Sequence, residues 1–195
     1  MTNYGGLTLR SVKQKGFSLI EVMVSLVILV ILVIGLIGIF NLHIVSKQGS
    51  FESFQQTQAS YYANDIINRM RLNVAELANY GSASGTSYTG QSLVTPGKMC
   101  DEGAVCTAIE MREWDLFDWQ KLFIGDAEMS GGSGVGGLPD PTACVYVEGN
   151  NVTVVMTWAS VRKFNSSQQG QTDYVKNCGG SNNKKRTYEI QTAIF

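Results

Sequence analysis

The sequence predicts an α+β fold in which one long amino-terminal helix carries a small antiparallel β-sheet on its distal half. Residues 17–78 contain no proline and place apolar side chains at helical spacing. Two later stretches, residues 152–159 and 186–195, alternate apolar and polar side chains as strands do. A helix followed by a block of strands, without regular alternation of the two, is typical of α+β domains.

The first part of the helix is apolar enough to cross a membrane. Residues 22–40 carry no charged side chain, and a helix of that length spans a hydrocarbon core of ~30 Å. Arg10, Lys13 and Lys15 precede the span, whereas Lys47 is the only basic residue soon after it. The excess of positive charge before the span predicts a cytoplasmic amino terminus and an exported carboxy-terminal part.

Glu21 lies at the amino-terminal edge of this span, where an ionised carboxylate costs up to about a few kcal/mol and needs a partner. If the bond between Gly16 and Phe17 were cut, the new α-amino group, with a pKa of roughly 8, would be cationic. The two groups would be separated by about 6 Å along the helix axis. The amino group of a neighbouring helix shifted by about one turn would then meet Glu21. We expect such a pair to set the register between packed helices.

Residues 16–22 read Gly-Phe-Ser-Leu-Ile-Glu-Val, after a short basic leader and before the long apolar run. They resemble the class III signal of type IV prepilins, in which a glycine precedes the cut, an aromatic residue follows it and a glutamate is the fifth mature residue. The resemblance implies cleavage between Gly16 and Phe17, N-methylation of Phe17 and a role for Glu21 in assembly. An ordinary signal anchor with a stray glutamate is the alternative. A secretory signal peptide is disfavoured, because no alanine before Ala59 supplies an Ala-x-Ala-like site.

A second resemblance lies at the distal end of the helix. Residues 65–73 resemble the Asp-x-x-x-Arg-Met-Arg-x-Asn segment of the PilV family of minor pilins, also called type IV pilus modification proteins. The spacing of Asp65 and Arg69 also favours an ion pair worth a few tenths of a kcal/mol. Two interpretations remain open: a solvated helical face, or a surface on which Asp65, Arg69 and Arg71 dock a partner.

The rest of the chain supplies a domain to cover the distal helix. We expect this helix to bury a stripe of Leu42, Val45, Phe51, Phe54, Gln58, Tyr61 or Tyr62, Ile66 and Met70.

Residues 79–99 are rich in Gly, Ser and Thr and predict a loop. Thr107 and Glu110 have the spacing of a capping box for a second helix reaching about Phe123. Its expected buried side chains are Ile109, Trp114, Phe117 and Leu122.

The last hundred residues predict the sheet. Residues 143–148 and 152–159 flank a Gly-Asn-Asn turn and form a hairpin, and residues 186–195 add the final strand.

Residues 130–141 are rich in glycine but lack the Gly-Lys-Ser/Thr ending and the preceding strand of a phosphate-binding loop. We expect a flexible connector there.

Four cysteines in an exported chain predict two disulfides. Spacing alone leaves all three pairings open. We expect the nearest-neighbour choice, in which Cys100 pairs with Cys106 and Cys144 with Cys178. A zinc site is disfavoured, because the chain has neither a Cys-x2-Cys spacing nor companion histidines.

The composition argues against an enzyme and against a nucleic-acid-binding protein, and we expect no cofactor and no metal. His43 is the only histidine and adjoins the span. Asp115 and Asp118 are expected on the solvated face of the second helix, not in an acid–base pair. Residues 184–186 form a lone basic cluster, expected as a solvated strand entry, whereas nucleic-acid binding needs a basic stripe with interleaved aromatic residues.

These expectations divide the chain into a leader (residues 1–16), a transmembrane half-helix (17–40), a periplasmic half-helix (41–78) and a globular periplasmic domain (79–195). The PilV resemblance implies a minor pilin that leaves the inner membrane for the pilus at the cell surface and primes or caps type IV pilus assembly. The implied partners are the prepilin peptidase, the major pilin, other minor pilins, the inner-membrane assembly platform and a tip adhesin. The alternatives are a type II secretion pseudopilin and a membrane-anchored periplasmic binding or sensor module that retains its leader.

Overall fold

The computed structural model describes residues 16–101, 103–126, 128–131, 133–134, 136–162, 170–180 and 184–195. The chain divides into two compact units, Met1–Lys47 and Gln48–Phe195. Its α-helices are α1 (Leu19–Leu72), α2 (Ala108–Ile124) and α3 (Asp173–Asn177), and 3-10 helices cover Val74–Asn79 and Gly90–Ser92. Its strands are β1 (Thr86–Thr89), β2 (Met129–Ser130), β3 (Ser133–Gly134), β4 (Thr142–Glu148), β5 (Asn151–Ala159) and β6 (Lys185–Ala193).

In the first unit, α1 presents an apolar surface that the described chain leaves uncovered. The large hydrophobic side chains from Phe17 to Val45 are between 45% and 83% exposed. The helix is long and apolar enough to cross a membrane. Exposed apolar surface on this scale is stable in water only when lipid or another protein covers it.

In the second unit, α1 buries a stripe that differs in part from the predicted one. Its buried residues are Glu52, Gln55, Ala59, Tyr62, Ala63, Ile66, Ile67 and Met70. The prediction is wrong for four residues that are between 47% and 72% exposed: Leu42, Val45, Phe51 and Phe54. The buried face continues the line of Ala59, Tyr62 and Ile66 towards the amino terminus, where it includes the polar residues Glu52 and Gln55. Glu52 accepts hydrogen bonds from Ser160, Arg162 and Arg186.

The α-helical part of α1 ends at Leu72, short of the predicted residue 78. The Asn73 N–H still donates to the carbonyl oxygens of Arg69 and Met70, at 3.1 and 3.2 Å. Its side-chain amide, however, donates to the carbonyl oxygen of Ala108 at 2.8 Å. Asn73 itself leaves the helical conformation, with φ of −130° and ψ of 52°, and a 3-10 helix follows at Val74–Asn79.

The capping box of α2 is confirmed. The Thr107 hydroxyl accepts from the N–H of Glu110 at 3.3 Å, and the Glu110 carboxylate accepts from the N–H of Thr107 at 2.8 Å. The helix ends at Ile124 and is capped by Gly125, whose φ of 86° is a left-handed conformation that favours glycine. The predicted buried side is wrong for Ile109, which is 53% exposed, whereas Leu122 is partly buried and packs against the core. The residues that α2 buries fully are Asp115, Trp119, Gln120 and Phe123.

The predicted α+β arrangement is confirmed: the long helix accompanies a four-stranded antiparallel sheet in the order β1-β4-β5-β6. One face of the sheet shares the main core with α1 and α2, through residues such as Val145, Val154 and Met156. The opposite face holds a second cluster that includes Tyr146 and Val155, with Val175 of α3. The predicted loop at residues 79–99 contains β1. The sequence pattern does not reveal this strand, because only Tyr88 of its four residues is buried.

Disulfides join Cys100 to Cys106, with an S–S distance of 2.05 Å, and Cys144 to Cys178, with 2.02 Å. The first closes the short loop before α2. The second links β4 to the end of α3 and closes a loop with a sequence separation of 34. By the chain-entropy argument each bond stabilises the fold by roughly 2–4 kcal/mol.

Candidate functional site

The segment before α1 is accessible. Phe17 is 83% exposed, and nothing lies within 4 Å of the position that a Cβ atom would take on Gly16. The Ser18 carbonyl accepts from the N–H groups of Glu21 and Val22, at 3.0 and 3.3 Å. The bond between Gly16 and Phe17 therefore precedes the helix, and a peptidase could reach it without opening a helical turn.

The Glu21 side chain lies on the surface of the first turns of α1. Its backbone carbonyl accepts a hydrogen bond from the Ser25 hydroxyl at 2.7 Å. Within the described residues, no basic group forms an ion pair with its carboxylate. The residue is exposed on the described part of the chain.

Arg69 joins α1 to α2 through the Arg69 cluster, which comprises Arg69, Asp65, Asp115 and Asp118. The guanidinium donates to Asp65 at 2.9 Å, to Asp118 at 2.6 Å and to Asp115 at 3.4 Å. The Arg69 side chain is only 20% exposed. Arg69 therefore forms ion pairs within the chain. The sequence had left two other interpretations open, a solvated helical face and a docking surface.

Asp115 is the buried member of the Arg69 cluster, which corrects the expectation that it lies on a solvated face. Its side chain is 8% exposed, and it accepts a hydrogen bond of 2.5 Å from the Tyr80 hydroxyl. Burial raises the pKa of Asp115, although the hydrogen bond from Tyr80 and the charge of Arg69 oppose that rise. Burial likewise raises the pKa of Tyr80.

Arg71, the third residue expected to dock a partner, lies on the surface. Its guanidinium donates to the Asn68 side chain at 3.1 Å and to the Thr192 hydroxyl at 3.2 Å. Both contacts are exposed, so the Arg71 charge remains accessible from solvent.

Sequence reasoning missed a second charged group, the Glu52 cluster, which comprises Glu52, Arg162 and Arg186. Arg162 donates to both carboxylate oxygens of Glu52, at 3.0 and 2.7 Å, and Arg186 donates at 3.0 Å. Arg186 lies at the entry to β6 with its side chain 38% exposed, as expected, and in addition pairs with a carboxylate that is 8% exposed. The partners are 110 and 134 residues apart in the sequence, so no local pattern reveals them.

The Glu52 cluster predicts an acid-sensitive contribution to stability. The hydrogen bonds and charges of Arg162 and Arg186 lower the pKa of Glu52 from 4.5 to about 2. Because the folded state binds its proton less readily than the unfolded state, the contribution is complete above about pH 5 and is lost as the pH falls from about 4.5 towards 2. We expect Glu52→Gln to destabilise the protein at pH 7 more than at pH 3. Urea unfolding of both proteins at the two pH values measures this, and an equal difference at both would contradict it.

The described residues offer no cluster of three or more His, Cys, Asp or Glu side chains placed to hold a metal ion. All four cysteines are in disulfides.

Comparison with known proteins places a motif on the amino-terminal segment. The family model described as the prokaryotic N-terminal methylation motif matches residues 12–37. No curated protein and no solved structure matches the chain. The matched residues include Gly16, Phe17 and Glu21. The match supports a type IV pilin-like or pseudopilin protein and implies processing by a prepilin peptidase, and the apolar helix that carries it suggests an inner-membrane anchor.

Proposed function

We propose that the chain is a minor pilin of the PilV kind, which joins other minor pilins in a complex that primes or caps a type IV pilus. The observation that carries this proposal is the coincidence of three features in one segment. The prepilin-type motif contains an accessible bond between Gly16 and Phe17 and the carboxylate of Glu21, for which we propose a partner on a neighbouring chain. It also contains the start of a helix whose apolar side chains are exposed.

The exposed surface of α1 suits a subunit that moves between lipid and a helix bundle. Lipid tails and apolar side chains are similar environments for this helix, so packing against neighbours is decided by close fit and by polar contacts. Ionised Glu21 is costly in lipid. After cleavage, pairing with the α-amino group of a neighbouring Phe17 would lower that cost and would fix how far the two helices are shifted.

The second unit gives the subunit its periplasmic domain. Its two disulfides suit an oxidising compartment. The partners that we propose are the prepilin peptidase, the major pilin, other minor pilins, the inner-membrane assembly platform and a tip adhesin. In this role the chain is a structural subunit that serves adhesion and twitching motility, and it is a substrate of the peptidase without being an enzyme itself.

Two other functions fit part of these observations. A type II secretion pseudopilin would use the same motif and helix to build a short periplasmic piston, but its closest counterpart is usually smaller than this chain. A membrane-anchored binding or sensor module would retain residues 1–16. The state of the amino terminus therefore separates assembly subunits from the sensor module.

We predict that the mature protein begins at an N-methylated Phe17, and mass spectrometry of the protein purified from its native membrane measures this. Gly16→Val should leave residues 1–16 attached, because a branched side chain would fill the space beside the scissile bond that is open at Gly16. Ser18→Ala, one residue beyond the new terminus, is the matched control and should be cut normally. An intact Met1 terminus in the unaltered protein would exclude the proposed function and support the sensor module.

A further inference from the structure

A largely apolar pocket of about 300 Å³ lies between α2 and the segment that follows β1. Its α2 wall is a single helix face, because the residues concerned are three or four positions apart: Glu113, Leu116, Phe117 and Gln120. The opposite wall includes Val94 and Pro96, and Tyr88 of β1 lines the pocket as well. The pocket therefore lies on the side of the second unit where β1 forms the edge of the sheet.

Glu113 is the one charged residue among those that line this pocket. Its side chain is 48% exposed, and its contact with Arg112 measures 3.7 Å, which is too long for a hydrogen bond. Arg112 instead donates a hydrogen bond of 2.8 Å to Glu76. Within the described residues, the Glu113 carboxylate thus accepts no hydrogen bond, and it is open to a cation from outside the chain.

The apolar walls and the carboxylate together match an arginine side chain. The methylene stem of an arginine can pack against Leu116 and Pro96 while its charged end reaches Glu113. A guanidinium group also binds a carboxylate through two parallel hydrogen bonds and stacks on an aromatic ring such as Phe117. Lys121 lies 5.5 Å from the centre of that ring, but it does not line the pocket.

Arg71 is an arginine of this chain that has no carboxylate partner within the described residues. Its guanidinium donates to the side chains of Asn68 and Thr192, which are neutral, and both contacts are exposed. A hydrogen bond between neutral groups contributes about 0.5–1.5 kcal/mol and one to a charged group about 1.5–3 kcal/mol. Exchanging these two contacts for a carboxylate would therefore be favourable.

Arg71 and the pocket lie on opposite sides of the second unit. Thr192, which accepts from Arg71, belongs to β6, whereas Tyr88 of the pocket belongs to β1, and these strands are the two edges of the sheet. Arg69 contacts α2, and two residues correspond to about 200° around a helix, so Arg71 is directed away from α2. Arg71 cannot reach the pocket of its own chain, but a copy placed edge to edge brings the two together.

We propose that Arg71 of one copy of this chain enters the pocket of a second copy and pairs with Glu113. Each copy carries the arginine at one edge and the pocket at the other, so the contact is heterologous and joins successive copies in a row. The contact goes beyond the proposed function and uses neither the processed terminus nor Glu21. It can therefore fail in a protein whose Phe17 is still exposed by cleavage and methylated.

Sedimentation velocity of the full chain in a maltoside detergent, over a series of protein concentrations, measures this self-association. Arg71→Met removes the cation and should weaken the association roughly tenfold or more, because charged hydrogen bonds are lost. Lys176→Met is the matched control, since it removes the same charge from α3, which packs on the other face of the sheet. It should associate as the unaltered protein does.

A mixture of two variants separates a broken contact from a folding defect. Glu113→Gln should weaken the association as much as Arg71→Met does. Mixed in equal amounts, the two variants should associate with the affinity of the unaltered protein but should stop at dimers. The reason is that one variant retains the pocket and the other retains the arginine. A mixture that associates no better than either variant alone would overturn the proposal.

Other modes of association give different results. Association through the apolar surface of α1 would persist in every variant, so equal affinities of the unaltered protein, Arg71→Met and Glu113→Gln would overturn the proposal. An unaltered protein that stays monomeric at every concentration would overturn it too. If such a monomer bound N-acetylarginine amide and Glu113→Gln did not, the pocket would belong to an arginine of a different protein.

Discussion

Glu21→Val is expected to leave the chain in the membrane and to reduce its incorporation into the pilus complex by tenfold or more. Valine lowers the cost of inserting the helix, because it replaces an ionisable group with an apolar one. The same change removes the acceptor that a neighbouring α-amino group would need. Insertion and assembly should therefore respond in opposite directions, and a general folding defect would not produce that pattern.

The measurement compares the amount of the variant in isolated inner membranes with the amount in sheared surface pili. Ser25→Ala is the matched control, since it removes the hydroxyl that bonds the Glu21 backbone at 2.7 Å but keeps the carboxylate. Twitching motility and secretion of exported enzymes, assayed in the same strains, distinguish a pilus subunit from a secretion pseudopilin. Normal motility and normal incorporation of the Glu21 variant would contradict the role in helix register.

The elements that the sequence predicts well are those specified by local signals. The capping box of Thr107 and Glu110 starts α2 where expected, because both partners lie within one helical turn. The hairpin of β4 and β5 forms around the predicted Gly-Asn-Asn turn, and each strand begins a single residue before its predicted start. Local signals of this kind need no knowledge of the rest of the fold.

The features that the sequence does not predict depend on partners far away in the chain. Asp115 looks like a surface residue of an amphipathic helix, but Tyr80 and Arg69 surround it once α2 packs on α1. Glu52, which the predicted stripe does not include, is buried because Arg162 and Arg186, more than 100 residues away in the sequence, pair with it. Helical periodicity therefore finds the helices and fails to identify which polar residues they bury.

Arg69→Met is expected to lower the free energy of unfolding by about 2–4 kcal/mol, which is the largest loss of stability that we predict for a charged residue. The substitution keeps much of the side-chain volume but removes every donor that Arg69 gives to Asp65, Asp115 and Asp118. Asp115 would then be a buried carboxylate without its cation, and breaking a buried pair on one side costs about 3–5 kcal/mol. Because Arg69 is 20% exposed, water screens its ion pairs in part, and the loss that we expect lies below the upper end of that range.

Arg71→Met is the matched control, because it removes the same charge two positions along the same helix. Its contacts with Asn68 and Thr192 are exposed, and surface contacts of this kind contribute at most about 1 kcal/mol. Urea unfolding of the full chains in detergent, followed by tryptophan fluorescence, compares the two. If Arg69→Met were as stable as the unaltered protein and instead failed to bind a partner subunit, the docking interpretation would hold for Arg69. A large loss of stability, as we expect, would mean that Arg69 stabilises the packing of α2 on α1. Arg71 would then be the cation of residues 65–73 that a partner can reach.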